Sequence, residues 1–214
     1  MTAPVAFYEN DYFRHDLRLG SVHNRYGTKF CFLPPELLLG LQRTLEDETG
    51  PAWREVLKRV GRIWGSRVAA RFNDEFTQHY GRPLHELPMA EFASLVEAHF
   101  RYHGWGEMTL DFSLAEHGLI VATLRESAFV EVIGANEWPI DAIVSGVLAE
   151  LVAQVSERDD LECIETECAA QGAPACRFIL GLRERLARVP DYIEQGARHD
   201  EIINRLALAQ AVPA

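Results

Sequence analysis

The sequence predicts an α+β protein in which an antiparallel sheet of about four or five strands packs against several helices. Two observations lead to this fold class. Apolar residues recur at three-to-four spacing in long stretches before residue 103 and again over 138–155, which is typical of helices. Residues 107–124 and 161–180 each contain two short apolar or alternating segments around turn residues, which is typical of β-hairpins.

Size and composition limit the classes of function. The 214 residues suit one domain, or one domain with an N-terminal extension, and 48% hydrophobic residues can fill its core. The net charge of −11 argues against nucleic acid or an anionic membrane as a partner. No apolar run approaches the roughly 20 residues of a spanning helix, and the first residues lack a signal-peptide layout. We therefore expect a cytoplasmic protein without membrane insertion, whose cysteines are thiols.

The N-terminal arm, residues 1–24, contains too many large apolar side chains for a free tail. They are Phe7, Tyr8, Tyr12, Phe13 and Leu17. We expect the arm to pack on its own domain or on a partner subunit. Residues 25–33 are expected to form a short strand with Phe30 and Phe32 on one face. Cys31 then lies on the other face as a small buried hydrophobe.

Two helices are predicted next. Pro34 and Pro35 suit the first turn of a helix that runs to residue 48, with a leucine stripe as its apolar face. That stripe is Leu37, Leu38, Leu41 and Leu45. A long helix is expected over about 52–80. Gly61 and Gly65 inside it weaken the helix by roughly 1 kcal/mol each, but let another backbone come close.

The middle of the chain predicts a helix followed by a hairpin. The helix runs from Pro88 to about Tyr102. Residues 107–114 alternate between apolar and polar, and 119–124 are apolar, so the two segments are expected to pair. The pattern of residues 129–133 fits either a helix or a strand.

The clearest helix is predicted over residues 138–155, and it carries a stripe of small residues. The stripe consists of Ala142, Ser145, Gly146 and Ala149. Such a stripe allows close approach of a strand, a helix or a ligand. Two further helices are expected over 182–189 and 192–209, divided near Pro190.

Three of the four cysteines lie within residues 163–176. A strand over 161–168, a turn over 171–174 and a strand over 175–180 would bring Glu165, Cys168 and Cys176 to one end of a hairpin. Thiolate and carboxylate groups are ordinary zinc ligands, and zinc takes four of them. The spacing differs from the C-x-x-C of a zinc ribbon.

The pattern Glu165-x-x-Cys168-x-x-x-Gly172-x-x-x-Cys176-x-Phe178, which closes at Gly181, resembles the C-terminal signature of the 4-vinyl-reductase-type domain. The stretches Gly104-Trp105-Gly106 and Ser145-Gly146-Val147-Leu148 also fit, so the resemblance covers roughly residues 90–182. That family includes sensor domains of aromatic-responsive bacterial regulators and proteins linked to bacteriochlorophyll metabolism and photosynthetic assembly. Its fold is shared with ligand-binding domains of nitric-oxide-signalling and Golgi-tethering proteins. Because members of this fold commonly pair through helices, the resemblance implies a homodimer.

The resemblance also implies a metal site. In the aromatic-sensing relatives, zinc is held by a helix cysteine, a hairpin glutamate and two hairpin cysteines, and the last three fall here on Glu165, Cys168 and Cys176. The helix position is Ala142, which cannot ligate. Cys163 is the predicted substitute, because residues two apart on a strand share a face. The alternative is a hairpin with partly buried thiols and no metal.

A ligand pocket between the sheet and the helices is the third implication. Its candidate residues are Phe92, Val96, His99, Phe100, Trp105, Phe112, Val121, Val144, Leu148 and Cys163. Each apolar residue taken alone is better explained by core packing, and only the resemblance favours a pocket for the set as a whole. His99 and His103 share a helix face and suit a metal or a tetrapyrrole metal centre, whereas the alternative is surface or capping histidines.

No hydrolase, nucleotide or dinucleotide motif is present, so we predict no catalytic residue. The leading hypothesis is a non-enzymatic sensor, carrier or assembly factor that binds a small hydrophobic molecule, aromatic or tetrapyrrole, and acts through a partner protein. One alternative is an enzyme or accessory factor of (bacterio)chlorophyll biosynthesis, and another is a scaffold protein without ligand. The expected division is an N-terminal arm and helical dimerisation region over 1–85, a ligand-binding core over 86–182 and C-terminal helices over 183–214.

Overall fold

A computed structural model describes residues 7–8 and 12–208. The strands are β1 Phe13–Asp16, β2 Ser21–Asn24, β3 Lys29–Phe30, β4 Glu107–Asp111, β5 Leu119–Arg125, β6 Leu161–Glu167 and β7 Cys176–Leu182. The α-helices are α1 Glu36–Thr49, α2 Trp53–Tyr80, α3 Met89–Tyr102, α4 Ala128–Ile133, α5 Ala142–Ser156, α6 Arg183–Leu186, α7 Val189–Glu194 and α8 His199–Leu208. Short 3-10 turns cover Gly50–Ala52, Leu84–Glu86, Ala115–His117 and Ala169–Gln171.

In the described part of the chain, β4 to β7 form an antiparallel sheet in the order β4-β5-β7-β6. This confirms the predicted α+β class and both predicted hairpins. The β6–β7 ladder pairs Glu165 with Phe178, and then its register shifts before Glu167 pairs with Arg177. Such an irregularity bends the strand and changes the direction of nearby side chains. This shift in register lies at the end of the hairpin where Glu165, Cys168 and Cys176 converge.

Helices α2 and α5 cross at very short range, and small residues from both make the crossing possible. A Cβ placed on Gly61 would collide with the Ile143 backbone, and one on Gly65 would lie 2.8 Å from the Val147 Cα. A Cβ on Gly146 would collide in turn with the backbone of α2 around Lys58. The predicted close approach at these glycines is confirmed, because Gly61 and Gly65 of α2 face the backbone of α5 around Gly146. Crossing the helices in this way fixes the N-terminus of α5 against the sheet.

The N-terminal segment forms a second sheet, β1-β2-β3, that packs on α2 and α3. Phe7, Tyr8 and Tyr12 are buried, so the predicted docking of the arm on its own domain is confirmed for these residues. Residues 1–6 and 9–11 of the arm lie outside the described residues. Leu17 is exposed at the turn between β1 and β2.

The main core joins the aromatic side chains of the N-terminal segment, α2, α3 and α5 to one face of the larger sheet. A smaller core lies on the other face, where α6 to α8 cover the sheet. Its buried members are Leu119, Ile179, Leu186, Val189, Ile202 and Leu206. No helix in residues 7–8 or 12–208 combines the length and apolar character needed to cross a bilayer.

Some local predictions differ from the structure. Cys31 is exposed, because β3 ends at Phe30 and the chain leaves the sheet there. Helix α5 begins at Ala142, four residues later than predicted, since Asp141 occupies its N-cap position. Leu37 and Leu41, from the predicted apolar stripe of α1, are nearly half exposed. The segment that fitted either helix or strand is the helix α4.

The C-terminal region also differs from the expected pair of helices. The first expected helix ends at Leu186, and α7 and α8 are separated by a turn at Gly196, which has a φ of +78°. A left-handed residue of this kind ends a helix readily when it is glycine. Residues 209–214, which include the end of the predicted last helix, lie outside the described residues.

Candidate functional site

Two thiols and a carboxyl group converge at the turn end of the β6–β7 hairpin. One ligand atom from each of Glu165, Cys168 and Cys176 lies within 4.8 Å of the others, and all three residues are buried. The two Sγ atoms are 3.7 Å apart. Two thiolates on a tetrahedral zinc ion with bonds of about 2.3 Å would be separated by about 3.8 Å. The sulfur pair therefore already has the spacing that zinc requires.

Asp141 adds a second carboxyl group from the N-terminus of α5. It is fully buried, and Ser127 Oγ donates a hydrogen bond of 2.9 Å to its Oδ1. Its backbone N–H donates a hydrogen bond of 2.9 Å to Glu165 Oε2. The remaining oxygens, Asp141 Oδ2 and Glu165 Oε1, are buried and accept no hydrogen bond. Each carboxyl group thus has one oxygen fixed by the protein and one available to a ligand.

The protonation of this cluster reflects its burial. Burial raises the pKa of Asp141 to about 7, and both Cys176 and Cys168 act on the same carboxyl group. Burial, reinforced by the Asp141 carboxyl, raises the pKa of Glu165 well above its usual range. A hydrogen bond from Cys176 lowers the pKa of Cys168 to about 6. The same bond raises the pKa of Cys176, whose thiol donates to the Cys168 sulfur.

The predicted fourth ligand, Cys163, lies outside this group. It is a buried residue of β6 opposite Leu180 and belongs to the main core. Burial raises the pKa of its thiol, which disfavours the thiolate that a metal needs. Asp141, the neighbour of the expected helix position Ala142, contacts this group through its backbone N–H on Glu165, but it is not one of the three residues whose ligand atoms converge within 4.8 Å. The residue types were visible in the sequence, but an N-cap aspartate is common and gave no signal by itself.

A second feature is a cavity of about 390 Å³ beneath the N-terminal sheet. Its walls come from β3 and the segment after it, from α2 and from the C-terminal end of α3, and the start of α4 closes it. The lining residues are Lys29, Phe30, Cys31, Phe32, Leu33, Pro34, Pro35, Leu38, Trp64, Val68, Arg71, His99, His103, Gly104, Trp105, Ala128 and Phe129. A mostly apolar lining with a few polar groups, in this range of volume, is typical of small-molecule sites.

Aromatic rings dominate the cavity wall. The Trp64 and Trp105 rings lie 4.7 Å apart, and Trp105 contacts Phe129 edge to face at 6.2 Å. Gly106, with a φ of +126°, follows Trp105 and leaves no room for a Cβ beside the carbonyls of Arg125 and Glu126. This close approach fixes the position of the Trp105 segment against β5.

Two histidines, His99 and His103, help to line the cavity. Their ring centroids are 4.1 Å apart. His103 Nδ1 lies 2.8 Å from the His99 carbonyl oxygen, which can only accept, so the proton is on Nδ1 and Nε2 is an acceptor. That Nε2 is buried and has no hydrogen-bond partner. Burial lowers the pKa of His103 to about 4, so the ring is neutral near pH 7.

His99 is held from the other side by the N-terminal arm. Its Nδ1 lies 2.7 Å from the Tyr8 hydroxyl, and burial lowers its pKa well below the usual value. The alternative of a surface position does not hold for His99, which is buried. The position of His99 on the pocket side of α3 agrees with the expectation from the helical spacing.

Two of the predicted pocket residues, His99 and Trp105, line this cavity. The others are packed elsewhere: Phe92, Val96, Phe100, Val144, Leu148 and Cys163 are buried in the main core, Phe112 packs against it, and Val121 is buried in β5. Sequence reasoning missed the segment 29–35 and Arg71 as cavity walls. Neither carries a local motif, and they meet only through the fold.

A wider depression of about 700 Å³ lies between α2, α5 and the start of β6. Charged side chains such as Arg62, Glu150 and Arg183 line it. Arg62 and Glu150 pair there at 2.9 Å. This lining does not suit a hydrophobic molecule, so the smaller aromatic cavity is the better candidate for one.

Residues 120–182 match the 4-vinyl-reductase domain family, which is the family that the cysteine pattern resembles. No match is found among curated protein sequences. The phenol-responsive sensory domain of the transcription activator PoxR is similar in structure, with a TM-score of 0.68 at 16% identity, over 91% of this chain and 97% of that chain.

Two further solved structures are similar. A trafficking protein particle complex subunit 3 from Naegleria fowleri, covalently bound to palmitic acid, gives a TM-score of 0.53 at 17% identity, over 69% of this chain and 94% of that chain. A vinyl-4-reductase family protein from Methanocaldococcus jannaschii gives 0.47 at 15% identity, over 72% and 83%. At these identities the likeness to the sensory domain and to the trafficking subunit establishes the fold alone.

Proposed function

We propose that this chain, which carries a 4-vinyl-reductase domain at residues 120–182, is a sensor-type protein that binds a small aromatic molecule in the cavity beneath its N-terminal sheet. The observation that carries the proposal is an aromatic cavity of about 390 Å³ lined in part by His103, whose buried Nε2 has no hydrogen-bond partner. A buried acceptor without a partner costs free energy, which a ligand hydroxyl would recover by donating to it. The phenol-responsive domain of the same fold supports this class of ligand.

The position of the cavity suits transmission of occupancy to a partner. Phe32 and Leu33 line the cavity, yet each exposes more than half of its surface. A ligand that contacts their inner sides would change the surface that they present outside. We infer that a partner protein, or the second subunit of a homodimer, reads this surface together with the exposed Leu37 and Leu41 of α1.

Phenol is the probe that tests the binding function. Titration by calorimetry, followed in parallel by tryptophan fluorescence, is expected to show one saturable site, because Trp64 and Trp105 line the cavity. His103→Phe keeps a ring but removes the acceptor, and should weaken phenol binding about tenfold. The matched control is His85→Phe, whose histidine is well exposed beside Glu157. Absence of saturable binding to the unaltered protein, in native mass spectrometry as well, would refute the proposal.

We also propose that the hairpin holds a structural zinc ion through Asp141, Glu165, Cys168 and Cys176. The observation that supports this site is the pair of orphaned carboxyl oxygens beside two sulfurs at the zinc spacing. Asp141 takes the role that we expected of Cys163. Bound zinc would supply the folding free energy that joins α5 to the hairpin. Elemental analysis of protein purified without chelator should give about one zinc per chain, and none for Asp141→Ala.

A further inference from the structure

Arg71 is a cation in the lining of the aromatic cavity, and the phenol-binding contacts proposed above do not involve it. It lies on α2, and its guanidinium carbon is 4.8 Å from the centre of the Phe30 ring. Its Nε lies 3.8 Å from Glu75 Oε1, which is too far for a hydrogen bond. In the part of the chain that the structure describes, the guanidinium donates no hydrogen bond to protein.

Glu75 supplies a counter-charge to this cation but accepts no hydrogen bond from it, because the Glu75 oxygens already accept hydrogen bonds from other residues. Asn24 Nδ2 and Thr28 Oγ1 donate to Oε1 at 2.6 and 2.7 Å, and the Tyr12 hydroxyl donates to Oε2 at 3.0 Å. The two terminal nitrogens of Arg71 therefore keep their donors for a group in the cavity. The nearby histidines, which are neutral, do not compete for an anion.

From this geometry we propose that the physiological ligand is an aromatic carboxylate, whose carboxylate group binds Arg71 while its ring lies among the aromatic walls. The inference rests on the proposed binding function and names its ligand class. A planar guanidinium fork matches a carboxylate in a bidentate geometry. With a protein net charge of −11, selection of an anion must come from such a local cation.

Benzoate and its neutral isostere benzamide test this class, with phenol as a probe for the cavity itself. Calorimetry should show benzoate binding at least about tenfold tighter than benzamide to the unaltered protein. Arg71→Met should remove that preference, so that benzoate and benzamide bind with affinities equal to within about twofold. Arg71→Lys, which keeps the charge without the fork, should retain an intermediate preference.

The matched control is Arg67→Met, one turn earlier on α2, which makes the same change of net charge outside the cavity. It should leave all three affinities unchanged. Equal affinity for benzoate and benzamide, or equal weakening of both by Arg71→Met, would overturn the carboxylate assignment. If phenol still binds in that case, the proposed binding function stands. If none of the three probes binds, both proposals fail together.

Discussion

Two buried carboxyl sites in this protein are built in opposite ways. Glu75, on α2, accepts three hydrogen bonds from Tyr12, Asn24 and Thr28, so both of its oxygens are satisfied. At the hairpin end, Asp141 and Glu165 each leave one buried oxygen without a partner. The first site binds the N-terminal sheet to α2. The second lies where α5 meets the cysteines.

The difference separates a structural carboxylate from one that is ready for a ligand. A buried carboxylate that accepts several hydrogen bonds recovers from the protein the solvation free energy that it lost on leaving water. Two half-satisfied carboxyl groups beside two thiols recover the cost of burial only when a cation joins them. Four predictions test whether this contrast holds.

The largest effect is expected from zinc itself. Zinc at about 100 times its dissociation constant should stabilise the protein by about 2.7 kcal/mol, which raises Tm by about 5–10 °C in a chain of this size. Chelation should reverse the rise. Cys176→Ser should abolish the zinc-dependent shift in thermal unfolding. Cys31→Ser, at the exposed cysteine, should keep it, and a shift that persists in Cys176→Ser would contradict the site.

The next largest effect is expected at the satisfied carboxylate. Glu75→Gln places an amide donor among three donors and should destabilise the protein by about 2 kcal/mol, read from urea unfolding. Asp74→Asn, at the exposed neighbouring residue, should change stability by less than about 0.5 kcal/mol. Equal effects of the two variants would mean that the Glu75 network contributes nothing to stability.

The Glu75 site and the hairpin each have a nearby histidine that should lower the stability of the protein in acid. Burial lowers the pKa of His103, near the Glu75 network, and of His199, which contacts Thr166 of β6, to about 4 in both cases. The unfolded state, with a pKa near 6.5, binds more protons than the folded state between about pH 6.5 and 4, so stability falls as pH falls through that window.

Each histidine should contribute up to about 1.4 kcal/mol per pH unit to this slope. His199→Gln and His103→Gln should each flatten the dependence of the unfolding free energy on pH between 6.5 and 4. His15→Gln, at an exposed site, serves as the comparison. A slope that is unchanged in both buried variants would show that these rings protonate freely in the folded protein.

The smallest effect is expected from Asp141→Asn in metal-free protein. Asparagine keeps the acceptor for Ser127 and replaces an oxygen that has no partner, so stability should change by less than about 1 kcal/mol. The same variant should lose the zinc-dependent shift in Tm. A large loss of stability in the metal-free variant would instead show that Asp141, like Glu75, is a structural carboxylate.

Much of the fold followed from local patterns. Gly61 and Gly65 predicted the close approach of another backbone, and the stripe around Gly146 predicted that of a strand, a helix or a ligand, because a residue without Cβ in the middle of a helix needs a packing reason. The structure shows that these glycines meet in a helix crossing. The period-two segments predicted both hairpins of the larger sheet, with ends within a few residues. In the N-terminal sheet, β3 lies within the short strand predicted over residues 25–33, whereas β1 and β2 escaped prediction because each has only four residues.

Less of the two candidate sites was predictable. The pattern of Glu165, Cys168 and Cys176 indicated their convergence, and the structure brings the three together. Asp141 was missed because its neighbour Ala142 occupied the position that the resemblance marked. Most predicted pocket residues are ordinary core, since apolar spacing does not distinguish a side chain that lines a cavity from one that fills it.

The order of residues alone determined the hairpins, the helix crossing and the gathering of thiols with a glutamate, since each depends on neighbours a few residues apart or on residues that lack a side chain. Tertiary structure decided the rest. Arg71, His103 and the segment around Phe32 are separated by tens of residues and form one cavity only after α2 and α3 pack beneath the N-terminal sheet. Whether a buried polar atom finds a partner depends on that packing, and at His103, Asp141 and Glu165 the packing leaves an atom for a ligand.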